Sequence, residues 1–498
     1  MRYIFLLFLP FYLVASTLYL TTSSNPSRIN PLLATDSASS EISGWIFNGL
    51  VKYNKNGEVI GDLANSFEFD DNTTLIFKLK DNISWQDNYP FSVDDIIFTY
   101  NLLQSNKIST PYSQDFRMVK SLEKIDNLTL KVIYTQPYFK ALHIWMMGIV
   151  PKHILENEKN IMTSSFNRNP IGTGPYKLES IELSKAIILK ANQNYFEHKP
   201  NIDTIHYTVT PDPASQYMRL RAKQSDIGSL SPLQYERELD KEFKDHYKIV
   251  EKIEQAYTYL GFNLRDEKFK NPLIRKALSL AINKKEIVDI LFFGHGQPCY
   301  GPFLPAGFAY SNKFENIKSN PEEAKKILNS LGYNEQNRFS FEVVTNSNNS
   351  LRLYAAQIMQ YQLKKIGVDM QIRAMEWQAF LNMVVFPRKF EAVLLGWGLS
   401  LMPDAYSIWH SNGDIKGGYN FIGYHNKDVD RLIEEAQTLT KTKDLSIVYK
   451  KIFTEIVNDN PYIFLYIPNS ITAINKKIKP IEKTIIGIMH NQIDWIKE

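Results

Sequence analysis

The sequence predicts an α/β protein of more than one lobe. Short runs rich in β-branched and aromatic residues alternate irregularly with capped segments of helical periodicity along the whole chain. That alternation is the signature of mixed α/β architecture. At 498 residues the chain is too long for one ordinary core, so two or three sub-structures are expected. Hydrophobic residues at 44% and charged residues at 22% describe a chain that folds. No constant repeat and no low-complexity linker interrupts it, so the lobes should exchange the chain at several crossings.

The elements follow in order. Arg2 and the apolar run Ile4 to Val14 form a secretory leader, and Val14-Ala-Ser16 offers small residues for cleavage. Residues 1–16 are therefore expected to be a signal peptide, with the mature chain starting near Thr17. The run is too short and too early to span a membrane, and no later segment approaches about 18 uninterrupted apolar residues. No cysteine lies near the cleavage site to take a lipid, so an exported chain without a lipid anchor is expected. Thr17 to Thr22 reads as a strand, and Ser23 to Pro31 as a turn-rich segment. Thr74 to Lys80 is a strand, and Ser92-Val-Asp-Asp95 is a capping box opening a helix through about Leu103. Strands follow at Thr129–Tyr134, Ala186–Lys190 and Thr204–Val209. Asn271-Pro272 and Asn320-Pro321 each cap a helix with proline at its first position. Phe339 to Thr345 is a strand, Leu351 to Ile366 an amphipathic helix ended by Gly367, and Val368 to Ala374 the next strand. Helices near 427–440 and 445–458 and a strand at Ile463–Ile467 complete the set.

Composition removes several functions. The net charge of +4 comes from 57 basic and 53 acidic residues, scattered without a nucleic-acid patch. Cys299 is the single cysteine, so no internal disulfide forms; with no His or acid beside it in sequence, a half-buried thiol is expected there. Gly172-Thr-Gly174 lacks the Gly-Lys-Ser/Thr of a phosphate loop and reads as a structural turn. Asp94-Asp95 and Glu322-Glu323 stand at helix starts, where they serve the helix dipole better than acid–base catalysis. With no nucleophile elbow and no metal-ligand pair, an exported hydrolase is the weaker reading, and no cofactor is expected.

The stretch from Leu395 to His410 is the most informative. The apolar run Phe390 to Leu395 is a strand, and Gly396 and Gly398 around Trp397 leave its end bare. Met402-Pro-Asp404 breaks it, and Tyr406 and Trp409 follow at helical spacing. An open strand end beside an indole suits pairing with another extended chain. The competing reading is a buried strand with a core tryptophan.

Five separated segments resemble the extracytoplasmic solute-binding proteins of the peptide, opine and nickel transporter family (family 5). They are Gly61–Phe67 with Trp85–Phe98, then Asn169–Tyr176, then Gly261-Phe-Asn263 with Ile274–Asn283, then Gly396–His410, and finally Gly423–Asp430. The resemblance implies a two-lobed periplasmic binding protein with ligand between the lobes. Lobe I would take 17–43, 172–258 and 472–498, with 44–171 an inserted sub-domain; lobe II would take 259–471. It implies a monomer in the periplasm that delivers peptide to a membrane permease driven by an ATPase. Gly396, Trp397 and Gly398, with Asn25 and Arg28 of the N-terminal turn, would contact the peptide, alongside Tyr406 and Trp409. Where dipeptide and oligopeptide binders of this family carry an ammonium-binding Asp three residues after the tryptophan, this chain has Ser400. Asp404 either takes that role or caps the helix behind it. Arg352 is the first candidate for the carboxylate end, ahead of Arg28 and Arg373. Family members that carry a nickel chelate supply the rival cargo, with His410 and His490 the residues to watch.

Overall fold

A computed structural model describes residues 16–498; the expected leader, Ile4 to Val14, lies outside the described residues. The chain opens with β1 (Thr17–Thr22) and α1 (Ser37–Ile46). It then builds a separate antiparallel sheet from β2 (Ala64–Phe69), β3 (Thr74–Leu79), β4 (Val119–Lys124) and β5 (Thr129–Tyr134). Along β5 the residues Leu130, Val132 and Tyr134 point inward at period two. The capping box of α2 (Val93–Leu103) forms as expected, Ser92 N donating to Asp95 Oδ2 at 3.0 Å.

The chain returns beside β1 through β6 (Tyr176–Glu182), β7 (Ala186–Ala191) and β8 (Thr204–Val209). The sheet order is β1-β8-β7-β6, with β1 parallel to β8 and the rest antiparallel. The Gly172–Gly174 turn seals this lobe. A Cβ on Gly172 would lie 1.9 Å from the Ile46 carbonyl oxygen, so only glycine lets the turn close on the end of α1.

β9 (Tyr247–Ile253) leads across to lobe II, which begins with β10 (Ala256–Phe262). Next come α3 (Pro272–Ala281), α4 (Lys284–Phe292), β11 (Gly296–Pro298), β12 (Phe339–Asn346), α5 (Ser350–Lys364), β13 (Val368–Met375) and β14 (Ala392–Gly398). Helices α6 (Lys427–Gln437) and α7 (Thr442–Asp459) precede β15 (Tyr462–Asn475). The main sheet runs β15-β10-β14-β12-β13, with β12 parallel to both neighbours. β14 shows why it stands at the centre. Ala392 and Leu394 enter the core under α3 and α5, while Val393 and Leu395 enter the opposite core under α6 and α7.

Two strands run longer than the sequence suggests. β14 continues through Gly396–Gly398, which pair with Thr258 and Ala256 of β10. The sequence predicts β15 only over Ile463–Ile467, yet the strand runs on through Pro468 to Asn475. Pro468 marks a change of partner: Tyr462–Tyr466 pair with β10, and Asn469–Asn475 pair with β9. The single strand thus serves both lobes. Cys299, expected half-buried, is fully buried, its thiol donating to the Gly301 carbonyl at 3.3 Å, and burial pushes its pKa up to about 11.

Candidate functional site

The lobes enclose a cavity of about 670 Å³ at the carboxyl ends of β12, β13 and β14. Open α/β sheets collect ligands where neighbouring parallel strands part. β12 and β14 pair at Val343/Ala392 and Val344/Val393 and then separate. From Leu395 to Gly398 the β12-facing edge of β14 has no strand partner among the described residues. Such an edge accepts an extended chain through main-chain hydrogen bonds.

Arg352 stands at this opening. Asn349 caps α5 by accepting from Arg352 N at 3.0 Å, which fixes the first turn. The guanidinium donates through Nη1 to Asn346 Oδ1 at 2.9 Å, while Nε is buried without a partner. Among the described residues no carboxylate pairs with it. Burial pulls its pKa down, partly offset by Tyr466 and Tyr259. Gly396 makes the position possible: a Cβ there would lie 2.6 Å from Arg352 Nη2. Around Gly398 the same test meets nothing within 4 Å, so that glycine borders open space.

Trp397 forms a wall. Its ring lies parallel to Tyr259 at 6.1 Å and edge-on to Tyr419 at 5.1 Å. Its Nε1 donates to Tyr462 O–H at 3.3 Å, which leaves the ring face rather than the N–H for a guest. Lobe I contributes the N-terminal end of α1, with Ser37 and Ser40, and Tyr112. Asp36, the α1 cap, is fully engaged, accepting from Ser39 N at 3.0 Å and from the Ser27 and Ser39 hydroxyls. Trp377, absent from the sequence-derived candidates, also lines the cavity with an unpartnered indole N–H. Its position, just past the carboxyl end of β13, is the signal that would have found it.

A second cavity, about 420 Å³, shares Ser40 and Tyr112 with the first and carries Ser400, Met402, Met146 and Met147. The two residues considered for the ligand's amine, Ser400 and Asp404, stand at or beside this cavity. Lys140 Nζ sits 2.6 Å from Asp404 and 2.9 Å from Asp115, with the Lys140 and Asp404 side chains only 11% and 17% exposed. Burial works against the Lys140 ammonium, but Asp115 and Asp404 hold its pKa well above the ordinary value. Burial likewise opposes the Asp404 carboxylate, and Lys140 outweighs it and holds the pKa low. Asp404 also accepts from Tyr406 N at 2.9 Å, so it caps that turn and is already neutralised from within. Ser400 donates to the Met402 carbonyl.

Other candidates are placed elsewhere. Tyr406 lies between the Arg117 guanidinium, at 3.3 Å, and His410, at 4.2 Å. Trp409 is 1% exposed against Tyr424 and Tyr462, a core residue. Both belong to the packing behind the site because the lobe II core lies on that side of their turn. Asn25 flanks the cavity, its carbonyl accepting from Gln378 Nε2 at 3.2 Å and its side chain engaged by Ser184 N. Arg28 is half-buried and not among the lining residues, and Arg373 is paired with Glu342 at 3.0 Å. His410 faces Glu434 at 3.2 Å, and His490 lies 3.7 Å from Glu482; neither lines the cavity. Among the described residues no cluster of three His, Cys, Asp or Glu is arranged to hold a metal, and no helix is long and apolar enough to cross a membrane.

Residues 58–418 match the model of the bacterial extracellular solute-binding proteins, family 5. The oligopeptide-binding protein AppA of Bacillus subtilis (strain 168) is 32% identical over 473 residues, covering 91% of this chain and 86% of that one. The AppA structure with a nonapeptide superposes with a TM-score of 0.91 at 29% identity, covering 97% of this chain and 99% of AppA. NikZ from Campylobacter jejuni in complex with Ni(L-His) gives 0.87 at 28% identity, covering 97% and 99%.

Proposed function

The chain belongs to the bacterial extracellular solute-binding proteins of family 5, and from that premise we propose that it captures peptides between its lobes for an ABC importer. Exported to the periplasm, it would deliver them to a membrane permease and its ATPase, itself acting as a monomer without catalysis. The observation that carries the reading is the unpaired Arg352 guanidinium beside the open edge of β14. A binder of many sequences takes its affinity from what peptides share, their backbone amides and terminal carboxylate. The edge at Leu395–Gly398 meets the amides, Trp397 covers a side chain, and Arg352 takes the carboxylate.

The amine end differs. Lys140 already pairs with both Asp404 and Asp115, so the ligand's ammonium finds no carboxylate without a partner there. A peptide whose N-terminus runs on into the second cavity fits better than a dipeptide held at both charged ends. AppA was solved with a nonapeptide, which agrees with that choice. A nickel chelate fits less well beside Arg352, because no histidine is among the described residues lining that cavity; His143 lines the second one.

Calorimetric titration with peptides of two to nine residues tests the reading, with nickel plus free histidine as a separate arm. Peptides longer than two residues are expected to bind with micromolar Kd, about −8 kcal/mol. Binding of the nickel chelate and of no peptide would overturn it.

A further inference from the structure

Lobe II holds a second large concavity, about 870 Å³, that shares no lining residue with the interlobe cavity. It lies between the end of α3, the start of α4, the loop 314–319 and the end of α7. We infer that this concavity binds a phosphate-bearing ligand through Lys284.

The argument starts from charge. Four lysines line the concavity, Lys276, Lys284, Lys285 and Lys318, against one acid, Glu315. Lys285 is matched by Asp289 at 2.5 Å, and Glu315 accepts from the Tyr310 hydroxyl at 2.8 Å. Among the described residues Lys276, Lys284 and Lys318 have no carboxylate within ion-pair distance. Lys284 is the decisive one, because it is half-buried where Lys276, Lys285 and Lys318 are exposed. Its ammonium donates to the Cys299 carbonyl at 3.1 Å and lies 5.5 Å from the Tyr300 ring centre. One carbonyl and one ring face leave ammonium protons unsatisfied.

Burial draws the Lys284 pKa down to about 8, against a slight opposing pull from Cys299. The group still carries its charge at neutral pH for most of the time. Crowding like charges in a concave wall is uphill, and an anion held among them reverses the sign. The positive end of the nine-residue α4 begins at Lys284 and adds to the same field.

The donor set selects the anion. Arginine's planar fork, which pairs with carboxylate and phosphate alike, is absent from this wall, so binding falls to separate point charges. Separate ammonium points, with amide and hydroxyl donors such as Asn316 and Ser319, suit the diverging oxygens of phosphate. A soluble phosphate ester and a phospholipid headgroup share this chemistry.

The test uses the full mature protein and inorganic pyrophosphate as the probe. Titration is followed by the ¹³C resonances of the lysine side chains, with potassium chloride at matched ionic strength as control. The Lys284 resonance is expected to shift saturably with pyrophosphate, its pKa rising by at least one pH unit, and not with chloride. Lys284→Met should weaken pyrophosphate at least tenfold while peptide affinity stays unchanged, which also shows that the variant folds. Lys318→Ala should weaken it by a smaller factor. Co-sedimentation with phosphatidylglycerol vesicles, against phosphatidylcholine, separates the sources: capture lost in Lys284→Met assigns a headgroup, and pyrophosphate binding without capture assigns a soluble ester. Equal responses to chloride and pyrophosphate, or unaltered binding in Lys284→Met, would overturn the inference.

Discussion

Replacing Arg352 by methionine keeps the side chain's length and removes its charge. The cation has one side-chain acceptor, Asn346, and no ion-pair partner among the described residues. Removing an uncompensated buried cation costs folding little and can stabilise, since the desolvation penalty goes with it. Binding responds in the opposite direction. A hydrogen bond to a charged group contributes about 1.5–3 kcal/mol, and truncating one partner of a buried charged pair costs about 2–5 kcal/mol. Taking the overlap, about 2–3 kcal/mol, Arg352→Met should weaken a free-acid peptide about 30- to 150-fold.

The assay is titration calorimetry with one peptide as its free acid and as its C-terminal amide. The natural protein should prefer the acid, and Arg352→Met should bind both forms alike. Gly396→Ala should act in the same direction, because the new methyl would sit 2.6 Å from the guanidinium and displace it, whereas a methyl on Gly398 meets no protein atom within 4 Å and leaves the guanidinium in place. If Arg352→Met loses acid and amide forms equally, or neither, the arginine is not the carboxylate anchor.

Trp397→Ala should lower peptide affinity at least tenfold, about 1.4 kcal/mol, and should reduce the ligand-induced change in tryptophan fluorescence to the share carried by Trp377; unchanged affinity would remove the indole from the site. Asp404→Asn should leave free-amine and N-acetylated peptides equally affected and lower the melting temperature, because the buried Lys140 loses one of its two carboxylate partners and keeps only Asp115; a loss confined to free-amine peptides would return the amine role to Asp404. His295 is held between Glu251 and Glu236 at 2.8 Å each, and despite burial these carboxylates raise its pKa above the ordinary 6.5. Its contribution is therefore complete below about pH 6.5 and lost as pH rises through the folded value. The melting temperature should fall between pH 6 and 8 more steeply in the natural protein than in His295→Gln, and parallel curves would refute the linkage.

Local chemistry was legible in the sequence, and distant partnership was not. The caps at Ser92 and Asn271 and the stop at Gly367, which adopts φ of +82°, depend on neighbours a few residues away. The Gly396-Trp397-Gly398 strand end was readable for the same reason. Tyr406 and Trp409 show the limit: helical spacing says that two aromatics share a face, not whether that face meets a cavity or a core. Asp404 shows a second, because its fate rests on Lys140, 264 residues away in sequence. Pro468 shows a third. Proline stops most strands, but a strand that trades one partner for another can seat it at the exchange.

The Lys140–Asp404 pair bears on how the lobes work together. It joins the sub-domain of lobe I to lobe II, beside lighter contacts such as Ser109 Oγ to the Lys416 carbonyl at 2.7 Å. A buried ion pair gains Coulomb energy but forfeits hydration, and the two nearly cancel. Opening the lobes returns both groups to water, so the pair fixes the register of closure without greatly favouring it. On the proposed function, the free energy that tips closure comes from the guest, through the β14 edge and Arg352. That division suits a carrier, since a latch strong enough to close the empty protein would shut out the peptide.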